Sequence, residues 1–202
     1  MNSWKKAAEI LTQGGVVIIP SDSSFGIAAL ASDEKAIERV YKIKGREPGK
    51  PSLLIVGSVE QARELVEFTP LAEKLAQKYW LAPPKPSGEG GSGGLTLVLN
   101  AKKLDLPEQI YGENKTLAVR LPDKKELQDL ALEAGMFILP SANLAGLNAP
   151  FVPQEVDEKI KNQVDFFLDE PTDGNMPSTI LDARGEKSII LRAGSIKVEE
   201  RS

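Results

Sequence analysis

Four short segments of this chain concentrate hydroxyls, amides and cations at spacings suited to holding an anion. The first, Pro20-Ser-Asp-Ser-Ser-Phe-Gly26, places Ser21, Asp22 and Ser23 directly after the apolar run Val16–Ile19. In an α/β sheet the loop beyond a strand's carboxyl end is where ligands bind. Taken alone, the segment also reads as an ordinary Ser/Asp turn. The second, Lys42 to Pro51, carries four positive charges (Lys42, Lys44, Arg46, Lys50) against the single negative charge of Glu47. Lysines near a helix end can simply complement the helix dipole. Here Gly45, Pro48, Gly49 and Pro51 fix the chain's path among the cations, and fixed cations suit phosphates. The third, Leu139-Pro-Ser-Ala-Asn-Leu-Ala-Gly146, follows another apolar run and offers the Ser141 hydroxyl and the Asn143 amide. The fourth, Pro177-Ser-Thr-Ile-Leu-Asp182, precedes a run that leaves Arg192 at a strand end before Gly194.

The residue inventory narrows the chemistry. There is no Cys and no His in 202 residues, so thiol nucleophiles, disulfides, Cys/His zinc sites and imidazole acid/base catalysis are excluded. What remains is carboxylates, Lys, Arg, hydroxyls, backbone dipoles and hard cations such as magnesium. A formal charge of −4 argues against a broad nucleic-acid surface, which needs a basic face, while leaving room for a compact cationic pocket. Gly88-Glu-Gly-Gly-Ser-Gly93 matches a dinucleotide-binding pattern letter for letter. Prolines precede it and a strand follows, so the helix N-terminus that would hold pyrophosphate is missing.

The elements that must position these segments follow from periodicity. Strand-length apolar runs recur at Val16–Ile19, Leu53–Val56, Leu95–Leu99, Thr116–Val119, Phe137–Leu139, Val164–Leu168, Thr179–Leu181 and Ile189–Leu191. They are short and unbroken, as buried strands are. Helical patterns lie between them at 3–13, 33–44, 59–67, 70–80, 123–134 and 153–161. The alternation predicts an α/β fold in three layers around a twisted, mixed, mostly buried central sheet, as a single domain over 1–202. The last three strands lack room for a parallel crossover, so antiparallel pairing is expected among them. Ser32 is the expected N-cap of the second helix, with Asp33 and Glu34 in its first turn and Gly45 ending it. Residues 82–94 hold five Gly and three Pro and read as a mobile loop. No apolar run approaches the ~18 residues of a membrane span, and the start is an amphipathic helix rather than a signal peptide, so a cytoplasmic protein is expected.

Together the four segments and their neighbours resemble the YrdC-like family, the threonylcarbamoyl-AMP synthases. The family's P-T-D-T-V-Y-G-L is matched by PSDSSFGI at Pro20–Ile27, and its I-K-G-R-P-x-x-K-P by IKGREPGKP at Ile43–Pro51. G-x-L-T-L-V-L corresponds to Gly93–Leu99, V-R-x-P to Val119–Pro122, and S-A-N-x-S-G to Ser141–Gly146. S-T-I-x-D and R-x-G correspond to Ser178–Asp182 and Arg192–Gly194. Ser21, Ser23, Phe25 and Ala145 depart from the pattern, and residues 81–92 separate Trp80 from the Gly-Gly-Leu-Thr that usually follows it closely.

The resemblance implies an L-threonylcarbamoyladenylate synthase, which condenses L-threonine, bicarbonate or CO2, and ATP into threonylcarbamoyl-AMP and pyrophosphate for tRNA modification. Lys44, Arg46, Ser141 and Asn143 would be catalytic. Lys44, Arg46, Lys50, Thr96, Ser141, Asn143, Ser178 and Arg192 would bind ATP, and Ser21, Ser23, Arg120 and Ser141 would bind threonine. Magnesium would enter on the ATP phosphates rather than on protein side chains. A tRNA threonylcarbamoyl transferase complex would take the product, with at most weak direct tRNA contact. The alternative is a non-catalytic RNA-binding or regulatory module. Dihydroxybutanone phosphate synthase shares a related fold, but its acidic metal site relies on a histidine this chain lacks.

Overall fold

The computed structural model describes residues 2–46, 51–81, 94–102, 105–174 and 176–198. Lys50 and the Pro/Gly-rich stretch 82–93 lie outside the described residues. Among those described, nine strands form one sheet in the order β7-β1-β2-β6-β3-β5-β4-β8-β9. The strands are β1 (Val17–Pro20), β2 (Phe25–Leu30), β3 (Leu54–Ile55), β4 (Leu95–Asn100), β5 (Thr116–Arg120), β6 (Phe137–Ile138), β7 (Phe166–Phe167), β8 (Thr179–Asp182) and β9 (Ile189–Arg192). Pairing is mixed: β1–β7, β3–β5 and β4–β8 run parallel, and the other neighbours antiparallel. The helices are α1 (Ser3–Thr12), α2 (Glu34–Lys44), α3 (Val59–Leu65), α4 (Pro70–Tyr79), α5 (Lys125–Glu133) and α6 (Glu158–Lys161).

Side-chain alternation builds the layers. Along β1, Ile18 enters the core shared with α2, α3 and α4, while Val17 and Ile19 enter a second core with α1 and α5. A strand buried on both faces needs no polar residue on either, which is why its sequence reads as an unbroken apolar run. In β4, β5 and β8 one face follows the same rule, with Leu95, Leu97, Leu99, Leu117, Val119 and Leu181 in the first core. Thr96, Val98, Ala118, Arg120 and Ile180 alternate to the other face and belong to neither core. The α1/α5 layer therefore covers only part of its face of the sheet. The uncovered part becomes the floor of a cavity.

Several expectations are corrected. The segment Phe25–Leu30 is a full strand, β2, at the centre of one half of the sheet. Its composition, Phe-Gly-Ile-Ala-Ala-Leu, is poor in β-branched residues and gives little strand signal. Asp33, not Ser32, caps α2, accepting from the Ala36 N–H at 3.0 Å. The expected helix over 153–161 splits, because Val156 and Asp157 are extended and Asp157 starts α6 afresh by accepting from the Lys159 N–H at 2.8 Å. The antiparallel pairing expected among the last three strands is found between β8 and β9, while β7 sits on the opposite edge beside β1. Finally, β9 is an exposed edge rather than a buried strand, with Ile189, Ile190 and Leu191 open to solvent.

Candidate active site

The β2 backbone anchors one wall of the cavity. The Phe25 N–H donates to the Pro150 carbonyl at 2.9 Å and the Ile27 N–H to that of Pro140 at 2.8 Å. The Ala142 N–H in turn donates to the Phe25 carbonyl at 2.8 Å, and Gly26 bridges to Ser141. Residues 140–150 are thus an irregular strip laid along β2. Gly26 permits the close fit, since a Cβ there would collide with the Leu139 side chain.

The opposite wall is a turn at 177–179 clamped by the end of β9. Arg192 donates from Nε and Nη2 to the Ser178 carbonyl (3.0 and 2.8 Å) and from Nη2 to the Ser178 hydroxyl (2.9 Å). The Ser178 hydroxyl also meets that of buried Thr96 at 2.9 Å. The Trp80 indole N–H donates to the Leu95 carbonyl at 2.9 Å, so the two ends of the 81–92 insertion are held together and Thr96 keeps its place in β4.

Between these walls lies a cavity of about 380 Å³ floored by Leu53, Ala118, Arg120 and Ile180. Arg120 is the residue the resemblance implies as a threonine contact. It lies on the sheet face, buried, and its partner is Asp22. Nη2 meets the Asp22 carboxylate at 2.8 Å and Nη1 donates to the Ser23 hydroxyl at 3.1 Å. The second Asp22 oxygen accepts the Asp123 N–H at 2.9 Å. Asp22 stands in the middle of the first motif, yet its sequence context gave no sign that it would brace Arg120.

The structure brings Arg46, Ser23, Arg120, Ser141, Asn143, Ser178 and Arg192 together as cavity lining. Ser21, Lys44 and Thr96 stand behind the wall. The Ser21 hydroxyl is consumed in its own turn, donating to the Ser24 carbonyl at 2.6 Å and accepting the Ser23 and Ser24 N–H groups at 3.1 Å each. The Lys44 ammonium sits on the Ser141 and Asn143 carbonyls. Burial, and secondarily the charge of Arg46, lowers its pKa to about 8.

Electrostatically the lining is cationic. Arg46 donates to the Pro51 carbonyl at 2.8 Å and stacks over the Tyr41 ring at 5.6 Å. Burial depresses the Arg46 pKa against the opposing pull of Tyr41, and burial followed by the nearby Arg120 charge depresses that of Arg192. Two buried polar atoms of lining residues, Arg46 Nε and Asn143 Oδ1, have no partner among the described residues. Unsatisfied buried groups are rare. Among the described residues no cluster of three or more acidic side chains could hold a metal. The carboxylate nearest the cavity, Asp22, is committed to Arg120 and the Asp123 N–H.

An α/β scaffold whose half-covered sheet carries arginines, hydroxyls and an amide into one cavity is a class of site suited to a small anion. The particular family follows from comparison. Residues 9–194 match the Sua5/YciO/YrdC family model, described as telomere recombination, and this chain belongs to that family. A threonylcarbamoyl-AMP synthase of Pyrococcus abyssi is 30% identical over 205 residues, covering 99% of this chain and 57% of that protein. A threonylcarbamoyl-AMP synthase of Vibrio cholerae is 34% identical over 199 residues, covering 96% and 98%. The crystal structure of P. abyssi Sua5 complexed with L-threonine superposes with a TM-score of 0.82 at 29% identity, covering 95% of this chain and 54% of that one. The chain thus spans a little over half the length of the P. abyssi protein. The expected three-layer fold with a mixed sheet is the fold observed. No described helix is long and apolar enough to cross a membrane.

Proposed function

We propose that this protein is an L-threonylcarbamoyladenylate synthase. The observation that carries this reading is the convergence of Arg46, Arg120 and Arg192 with the Ser23, Ser141 and Ser178 hydroxyls and the Asn143 amide on one cavity. Membership of the family and the threonine complex of the P. abyssi relative support it. In the reaction, the threonine amine adds to CO2 derived from bicarbonate and loses a proton to give a carbamate. A carbamate oxygen then attacks the α-phosphorus of ATP; the P–O bond to the β-phosphate breaks and pyrophosphate leaves with its electron pair.

This chemistry asks for positioning and neutralisation of phosphoryl charge rather than for an imidazole base. Arg46 and Arg192 are the triphosphate contacts, with Lys50 joining them; Asn143, Ser178 and Ser141 orient the nucleotide, and Thr96 holds Ser178. Arg120 and Ser23, braced by Ser21, face the threonine carboxylate. Magnesium arrives with the triphosphate as part of the substrate. The location is cytosolic, and the product passes to a separate transferase complex acting on tRNA.

The deciding experiment is pyrophosphate release from ATP with threonine and bicarbonate supplied or withheld in turn. Release should require both, and equal release without threonine would overturn the assignment. A tRNA-induced shift with no ATP turnover would instead favour an RNA-binding module.

Arg46 gives a second, more local prediction. Its fork can hold two phosphate oxygens where a lysine offers a point charge. Arg46→Lys should therefore lose about 10-fold or more in kcat/KM for ATP, equivalent to about 1.4 kcal/mol of transition-state binding, with the melting temperature unchanged. Turnover within about twofold of the parent would return Arg46 to a purely structural role on the Pro51 carbonyl.

A further inference from the structure

Lys44 ends α2, immediately before Gly45 takes the left-handed conformation at φ 58°. The residue is 4% exposed and is not among those lining the cavity. The ammonium donates to the Ser141 carbonyl and, at 2.8 Å, to the Asn143 carbonyl. The Lys44 carbonyl accepts the Ala145 N–H at 2.9 Å. One residue thus grips the 141–145 loop at three points, twice by side chain and once by backbone. Those grips lie within the loop whose Ser141 and Asn143 line the cavity. The amide is itself locked, its Nδ2 donating to the Leu144 and Leu147 carbonyls at 2.8 Å each.

Among the described residues this buried ammonium meets only carbonyls, an expensive arrangement where no carboxylate offsets the lost hydration. The lowered pKa near 8 is the signature of that cost. A methionine would fill the same space without it, so packing alone does not account for a lysine here.

We propose that Lys44 is a positioning residue: it acts through the 141–145 loop, fixing the Ser141 hydroxyl and Asn143 amide against the ligand, and does not itself touch the triphosphate. The effect on turnover rests on the synthase reading above; the effect on the loop does not.

The test uses Lys44→Met and Lys44→Cys. The natural chain has no cysteine, so the new thiol is unique and can be alkylated in denaturant before refolding. Bromoethylamine rebuilds an ammonium at lysine length, whereas iodoacetamide leaves a neutral amide. Amide hydrogen exchange is followed across 140–148 in the ligand-free protein, and kcat and KM for ATP are measured with threonine and bicarbonate present. In Lys44→Met, exchange in that segment should quicken by about 10-fold or more. The kcat should fall by a similar factor while KM for ATP moves less than about threefold. The aminoethylated cysteine should restore both loop protection and kcat, and the carbamidomethylated one neither. Unchanged exchange in Lys44→Met would overturn the proposal. So would a rise in KM for ATP of about 30-fold with kcat retained, which is the mark of a direct phosphate contact. If the parent shows no threonine-dependent turnover, the synthase reading fails, and the exchange arm still decides whether Lys44 holds the loop.

Discussion

Replacing Asp22 by alanine should cost the protein about 3–5 kcal/mol of stability, the range measured when one partner of a buried ion pair is removed. The Arg120 side chain is 4% and the Asp22 side chain 9% exposed, so water does not screen the pair as it would at the surface. Removing the carboxylate takes an acceptor away from two donors, Arg120 Nη2 and the Asp123 N–H. Removing the guanidinium is the milder loss, because the carboxylate keeps the Asp123 N–H. The double variant Asp22→Ala/Arg120→Met should therefore recover part of what Asp22→Ala loses, and a double-mutant cycle by urea titration should give a coupling of about 2 kcal/mol or more. Strictly additive effects would mean that the two charges are solvated separately and that the cavity floor is wetter than its burial indicates. Asp22→Asn separates the two partners, since it keeps an acceptor for the Asp123 N–H and loses the charge facing Arg120.

That pair also marks where sequence reading stops. Asp22 and Arg120 stand 98 residues apart, as do the β1–β2 turn and the end of β5 that carry them. Nothing in local composition joins them. What was legible were features each segment carries by itself: the apolar runs of β1, β4 and β5, the αL stop at Gly45, and the ordered motifs that converge on the cavity. What was not legible depended on neighbours. β2 was missed because glycine and alanines suffice where a strand is flanked on both edges and buried on both faces. β9 carries the letters of a buried strand, yet as an edge strand it stands in solvent. Lys44 reads as a phosphate ligand in a cationic run, and only the fold shows two carbonyls waiting for its ammonium. Strand parity puts Arg120, with Ala118, on the open face of the sheet, and its Asp22 partner comes from a distant segment.

Gly194→Ala should be among the most damaging single methyl additions in the chain. A Cβ at Gly194 would overlap the Pro177 carbonyl oxygen, the Ser178 carbonyl carbon and the Thr179 nitrogen. All three are backbone atoms, which cannot swing aside as a side-chain end can. The contact is part of a tight seam: the Ser195 N–H donates to the Pro177 carbonyl at 2.9 Å, and the Thr179 hydroxyl donates to the Ile196 carbonyl at 2.7 Å. The Thr179 N–H, on the far side, donates to the Gly94 carbonyl at 2.9 Å. The turn is therefore held from both sides, and the strand end has to retreat. Retreat would carry Arg192 off Ser178, disturbing the cation and the hydroxyl together. Overpacking of this kind costs about 1–3 kcal/mol where side chains can adjust, and more where only backbone can move. Gly185 supplies the control, since a Cβ there meets nothing closer than the Lys187 carbonyl oxygen at 3.8 Å. Gly185→Ala should fall within about 0.5 kcal/mol of the parent, or gain slightly from a stiffer unfolded chain. Urea midpoints of the two variants decide the matter. If Gly194→Ala and Gly185→Ala denature alike, the seam between β9 and the 177–179 turn is looser than its geometry implies, and Arg192 is placed by β9 pairing alone.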